Sequence, residues 1–132
     1  MPTSTRQQRR TVGVLTVDDH AIFRTAAAEV IEATPGFEAV GEAASGEDAI
    51  RLSETLRPDL ALVDVRMPGM DGIETARRLA AAQPDMVVVL VSLEPTFDVA
   101  PLARSSGAAT LVRKQDFCSS LLERLWRTHR PR

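Results

Sequence analysis

The run "MVVVLVS", Met86 to Ser92, stays apolar until its last residue. A strand with one wet face alternates apolar and polar residues, so a strand without alternation must be covered on both sides. The same character recurs in the β-branched-rich run Val12–Val17, in "DLALVDV" and in the brief "TLV", and Phe37–Gly41 is a further strand candidate. Segments with helical spacing separate these runs. Ala21–Ala33 repeats Ile22, Ala26 and Val30 and is stopped by Pro35-Gly36. Gly46–Leu56 places Ala49, Ile50, Leu52, Ser53 and Leu56 on one stripe. Gly72–Ala82 follows the turn "RMPGMDG", with Asp71 placed to cap it. Pro101 allows only a short helix within "PTFDVAPLARSSGA", with the proline in its first turn. Asp116–Thr128 is the last helix, turning Phe117, Leu121, Leu122 and Leu125 inward. Five strands alternating with five helices predict an α/β fold, a doubly wound parallel sheet covered on both faces.

A chain of 132 residues suits one domain with a full core. Residues 1–11 are polar and basic without periodicity and read as a flexible tail, and residues 129–132 read as a frayed end. The net charge of -2 provides no global basic field, so nucleic-acid contact is not expected. Cys118 is the single cysteine, which excludes an internal disulfide and a thiolate metal site and fits a reducing compartment. No apolar stretch approaches the length of a membrane span, and the N-terminus lacks the apolar core of a signal peptide. The expected location is the cytoplasm.

Polar residues interrupt the strands at one edge only. Asp18 and Asp19 follow the first strand, Asp64 closes the third, Ser92 closes the fourth, and Lys114 follows the fifth. In open sheets of this type, sites form at the carboxyl ends of the strands where strand order reverses. Three carboxylates brought together there call for a hard divalent cation, and Mg²⁺ suits a site of few carboxylates plus waters. A lysine and a hydroxyl near one of the carboxylates are the cation and donor that a phosphoryl group needs. Taken singly, each feature has a blander reading. An isolated Asp-Asp pair is usually a loop or a cap, and a lone lysine is usually solvated. His20 reads as a capping or surface residue and Cys118 as a packing residue. Trp126 reads as a hydrophobic contact, with an exposed dimer surface as the alternative. The terminal arginines read as solubilising. A carboxylate that ends a buried strand is costly without a partner, and Asp64 therefore tips the balance toward a site.

The stretches "VDDH", "GEAASGEDAI", "RPDLALVDVRMPGMDGIETARRL" and "VRK" resemble the receiver domains of bacterial two-component response regulators. The resemblance covers about residues 12 to 128, and "DDHAIFR" with "PGFEAVGEAASG" is most similar to receivers of the LuxR/NarL type. It implies a flavodoxin-like (βα)5 fold with strand order 2-1-3-4-5. It also implies that Asp64 accepts a phosphoryl group from the phosphohistidine of a sensor histidine kinase. Asp19, Asp64 and the backbone carbonyl of Arg66 would ligate Mg²⁺, with Asp18 acting through water. Ser92 and Lys114 would bind phosphoryl oxygens, and "MPG" would form the tight turn after the acceptor. A homodimer is a further implied partner, and regulation of transcription the implied output. The chain ends with the receiver, so a DNA-binding domain is not expected within it.

Three positions depart from the family pattern: Leu111 where an aromatic ring is common, Gln115 where proline is frequent, and Leu93 where a small residue is usual. All three fall on the face that transmits the signal. Arg66 and Glu94 are expected to overhang the pocket mouth as an ion pair. Two other functions compete. A small Mg²⁺-dependent phosphatase of the haloacid dehalogenase type would need an acid two residues after the nucleophile, where Arg66 stands, and a cap domain. A degenerate receiver that only binds partners fits the altered switch positions but not the intact acidic triad. The expected role is that of a phosphoacceptor and not an enzyme.

Overall fold

The computed structural model describes residues 11–93 and 100–132. Five strands alternate there with five α-helices: β1 (Val12–Val17), α1 (Ala21–Ala33), β2 (Phe37–Ala43), α2 (Gly46–Leu56), β3 (Leu60–Asp64), α3 (Gly72–Ala82), β4 (Val87–Ser92), α4 (Ala100–Ser105), β5 (Thr110–Arg113) and α5 (Ser119–His129). The strands make one parallel sheet in the order β2-β1-β3-β4-β5. This is the doubly wound, flavodoxin-like architecture expected from the unbroken apolar runs.

Every residue of β1, β3 and β4 is buried. Successive side chains enter opposite cores, as the two-residue period of a strand requires. Leu15, Val17, Val63 and Leu90 pack with Ala49 of α2 and with Ile73 and Leu79 of α3. Val14, Leu62 and Val89 pack with Ile31 of α1 and with Leu122 and Leu125 of α5. Each large side chain buried in this way contributes about 1.5–3 kcal/mol of transfer free energy. The two cores hold β1, β3 and β4 in the middle, and the site residues stand at their ends.

Local sequence explains the helix starts. The Asp71 carboxylate accepts from the Glu74 backbone N–H at 2.9 Å, the cap expected for α3. The Ser45 hydroxyl accepts from Asp48 N–H at 3.1 Å and caps α2. Pro101 is the second residue of the short α4, where its missing N–H costs nothing.

Three expectations need correction. Strand β2 continues past Gly41 to Ala43, because Glu42 and Ala43 pair with Thr16 and Val17 after a register shift between Val14 and Leu15. The last helix begins at Ser119, not Asp116: Lys114–Asp116 form a 3-10 turn that Phe117 N–H closes on Lys114 O at 3.1 Å. Cys118 occupies the N-cap of α5 and is exposed rather than packed. His20, expected to cap or to lie on the surface, is exposed at the N-cap position of α1 and turns its ring toward the acidic pair in place of capping. Trp126 packs against the second core as a hydrophobic contact. Residues 1–10 and Glu94, the expected partner of Arg66, lie outside the described residues.

Candidate functional site

Strand register assembles the site. Val17 pairs with Val63, so Asp18 and Asp64 leave adjacent strands at the same level. Asp64 pairs with Val91, which sets Ser92 one residue beyond it. Ser92 pairs with Arg113, and Lys114 follows. Asp18, Asp64, Ser92 and Lys114 are all buried.

The turn after Asp64 is built to bring α3 close. Gly69 has φ +73, the left-handed region that favours glycine, and it supplies the turn of "MPG". A Cβ at Gly72 would lie 1.9 Å from the Asp64 carbonyl oxygen, so only glycine lets α3 approach the strand end. Gly72 N–H donates instead to Val65 O at 2.9 Å.

Charge is unbalanced within this edge. Lys114 Nζ lies 2.5 Å from Asp18 Oδ2 and 3.6 Å from Asp64 Oδ1. Asp18 and Asp64 therefore share one ammonium, and Asp19 meets only the His20 ring. The buried oxygens Asp18 Oδ2 and Asp19 Oδ1 accept no hydrogen bond. Each has a nitrogen near it, Lys114 Nζ at 2.5 Å and His20 Nδ1 at 3.3 Å, but as ion-pair contacts without hydrogen-bond alignment. Burial, first, and then the Asp18 carboxylate raise the proton affinity of Asp64 above the ordinary aspartate range. Lys114 and a hydrogen bond from the Arg66 backbone N–H oppose that shift without cancelling it. One donor atom from each of Asp18, Asp19, His20 and Asp64 lies within 4.8 Å of the others. A dense carboxylate set answered by a single ammonium fits a divalent cation.

Several contributors were not singled out in the sequence. Phe23 places its ring 4.8 Å from Lys114 Nζ and meets the Phe117 ring at 6.5 Å, so the ammonium is held by two acids and one aromatic face. Arg24 donates to the Asp18 carbonyl at 2.7 Å and pairs with Glu42 at 3.1 Å, tying the acidic loop to α1 and β2. Position on the first turn of α1, directly after the Asp pair, is the only sequence signal these two residues carry. Two of the departures touch each other: Gln115 Nε2 donates to Leu93 O at 3.3 Å, a link proline could not make. Leu111 pairs with Leu90 and packs partly buried against the first core. Beside the acids lies a hollow of about 630 Å³ lined by His20, Ile22, Phe23, Leu93 and Lys114, with Ile22 86% and Leu93 61% exposed.

Fold and site together define a doubly wound signalling-type domain with an acidic, lysine-containing edge. Residues 14–125 match the response regulator receiver domain family, and the chain belongs to it: it is a receiver domain of two-component response regulators. The chain is 43% identical to the response regulator GacA of Pseudomonas aeruginosa over 82 residues, 62% of this chain and 38% of that protein. It is 30% identical to the transcriptional regulatory protein DegU of Brevibacillus brevis over 112 residues, 85% of this chain and 48% of that protein. The match thus spans less than half the length of either relative. Among solved structures, the receiver domain of the putative response regulator NarL from Mycobacterium tuberculosis superimposes with a TM-score of 0.79 at 30% identity, covering 88% of this chain and 97% of that one. No helix among the described residues is long and apolar enough to cross a membrane.

Proposed function

We propose that the Asp64 carboxylate receives a phosphoryl group from the phosphohistidine of a sensor histidine kinase. The observation that carries this reading is the excess of negative charge: three carboxylates gathered at one edge with a single lysine among them. Asp18, Asp19 and Asp64 with the backbone carbonyl of Arg66 would hold a divalent cation, for which the oxygen set suits Mg²⁺. When bound, that cation supplies positive charge to the transferring group.

The chain's own residues do the rest. An Asp64 oxygen attacks phosphorus as the bond from phosphorus to the histidine nitrogen breaks, and the electron pair leaves with the imidazole. The Arg66 N–H orients the attacking carboxylate. Lys114 pairs with one phosphoryl oxygen, and the Ser92 hydroxyl donates to another. The exposed Ile22 and Leu93 beside the acids offer the donor protein an apolar landing. In this reading residues 12–128 are the functional unit, and the setting is the cytoplasm. Output is regulation of transcription through a domain or partner outside these residues, in line with the relatives' names.

Intact-mass measurement after incubation with a small phosphodonor and Mg²⁺ tests the reading. A stable adduct on the protein, absent from Asp64→Asn, is expected. Continuous phosphate release without an adduct would instead indicate a phosphatase. An unchanged mass and no release would leave a module that binds partners without phosphorylation.

A further inference from the structure

The sheet does not hold all three carboxylates equally. Asp64 ends β3 within its ladder to β4, and Asp18 is held by its N–H, which donates to Ala43 O at 3.0 Å. Asp19 stands beyond the ladder, in the loop between β1 and α1. Oxygens of Asp18, Asp19 and Asp64 fall within 4.8 Å of one another, and like charges at that range repel. The repulsion pushes the loop outward, and Arg24 opposes it. Arg24 Nη1 donates at 2.7 Å to the carbonyl oxygen of Asp18, the acceptor of the peptide that leads into Asp19. Arg24 Nε donates to Glu42 Oε1 at 3.1 Å. Glu42 belongs to the end of β2, where it pairs with Thr16 of β1. One planar guanidinium therefore ties the acidic loop to the edge of the sheet. The Arg24 backbone N–H also donates to His20 O at 3.2 Å, so the loop is held at its far end too.

We propose that Arg24, anchored by Glu42, is a positioning residue that holds the Asp18–Asp19 peptide in place against carboxylate repulsion and so presets the cation site. It acts through that peptide and not as a ligand. This role rests on the cation reading above and adds to it the group that pre-organises the loop. Without the tether the loop relaxes outward when no cation is bound, and binding must draw it back. That cost shows as lost affinity. The Arg24 side chain is 19% exposed, so its bond to the Asp18 carbonyl is largely shielded from competing water. Lysine is no substitute here, because a single ammonium on a flexible stem lacks the rigid fork that spans both acceptors.

Calorimetric titration of the full chain with Mg²⁺, at a temperature where melts show each variant folded, tests this. Arg24→Met keeps an unbranched apolar stem and should weaken Mg²⁺ by about tenfold or more. Arg24→Lys should recover only part of that loss. Glu42→Gln leaves the guanidinium and the cores in place and should weaken Mg²⁺ by about twofold to fivefold, the weight of a partly exposed ion pair. Should Arg24→Met fail to fold, Glu42→Gln decides alone. Hydrogen exchange gives a second readout: the His20 amide, bonded to Asp18 Oδ1 at 2.8 Å, should exchange faster in the cation-free variants relative to the amides of β3, and slow again with saturating Mg²⁺. Mg²⁺ affinity unchanged in Arg24→Met and Glu42→Gln but lost in Asp19→Asn would overturn the positioning role while the cation site stands. Full recovery in Arg24→Lys would show that charge alone suffices and would overturn the tether. Indifference of Mg²⁺ binding to Asp19→Asn would overturn the cation reading and the proposal together.

Discussion

Replacing Asp64 by asparagine should stabilise the protein when no divalent cation is present. Lys114 Nζ, 3.6 Å from Asp64 Oδ1, attracts the carboxylate. At an effective dielectric of 20 that attraction is about 4.6 kcal/mol. Asp18 and Asp19 offer oxygens no more than 4.8 Å away, and their charges repel it. Each repulsion is at least about 3.5 kcal/mol on the same basis. The two repulsions outweigh the attraction by about 2 kcal/mol, and burial of the charge adds to the cost. Asparagine keeps the shape and can still accept from the Arg66 N–H, though without the strength of a charged acceptor. A net gain of about 1–2 kcal/mol is expected, which raises Tm by about 4–8 °C for a chain of this size. The pH dependence has a definite sign. Because the folded-state pKa of Asp64 is raised above its ordinary value of 3.8, folding favours the protonated acid. That stability is fully present below the unfolded pKa and is lost as pH rises through the folded pKa. Parent and variant should therefore coincide near pH 3 and diverge toward pH 7. Calorimetric melts in a chelator at several pH values provide the measurement. A variant less stable than the parent at pH 7 without cations would show that the Lys114 pairing dominates, and the electrostatic account would fail. Added Mg²⁺ should narrow or reverse the gap, since only the parent retains all three carboxylates.

Lys114→Met should act in the opposite direction, removing the one ammonium and leaving three carboxylates together; a loss of about 3 kcal/mol at pH 7 is expected in urea denaturation, shrinking as acid protonates them. At Leu111, amide shifts with and without a beryllofluoride phosphoryl mimic should show a small response along β5, because a side chain already packed on the first core has little to gain from moving. Large shifts centred on Leu111 and abolished by Leu111→Ala would show that leucine carries the switch.

The sheet was legible because its signal is collective. Val87–Ser92 or Val12–Val17 cannot be half-exposed strands, and the helices between them bring α/β winding with them. The end of β2 was not legible, since Gly41 marks a stop locally while Glu42 and Ala43 gain partners on β1 that only the fold supplies. The start of α5 was missed for a related reason: Asp116 looks like the first residue of the helix but belongs to the 3-10 turn that carries Lys114 at the acidic edge. Asp18, Asp64, Ser92 and Lys114 announced themselves as polar ends of apolar runs. Phe23 and Arg24 did not, because on an amphipathic helix an aromatic and an arginine are ordinary until the sheet places β1 beside them.

The same geometry links the switch positions to the site without needing an aromatic ring. Ser92 pairs with Arg113, Lys114 follows, and Gln115 reaches back to Leu93 O at 3.3 Å. The ends of β4 and β5 are thus joined by strand pairing and by one side-chain bond just beyond it in sequence. Under the proposed phosphorylation, a phosphoryl group bound by Ser92 and Lys114 would act on both ends of this short closed path. Leu93 must move with Ser92, and its exposed side chain lines the hollow beside His20, Ile22 and Phe23. On that reading, movement at the acidic edge would reach an apolar surface within one residue. With Leu111 packed on the first core, the Gln115–Leu93 contact would give the proposed signal a route from the acidic edge that needs no ring on β5.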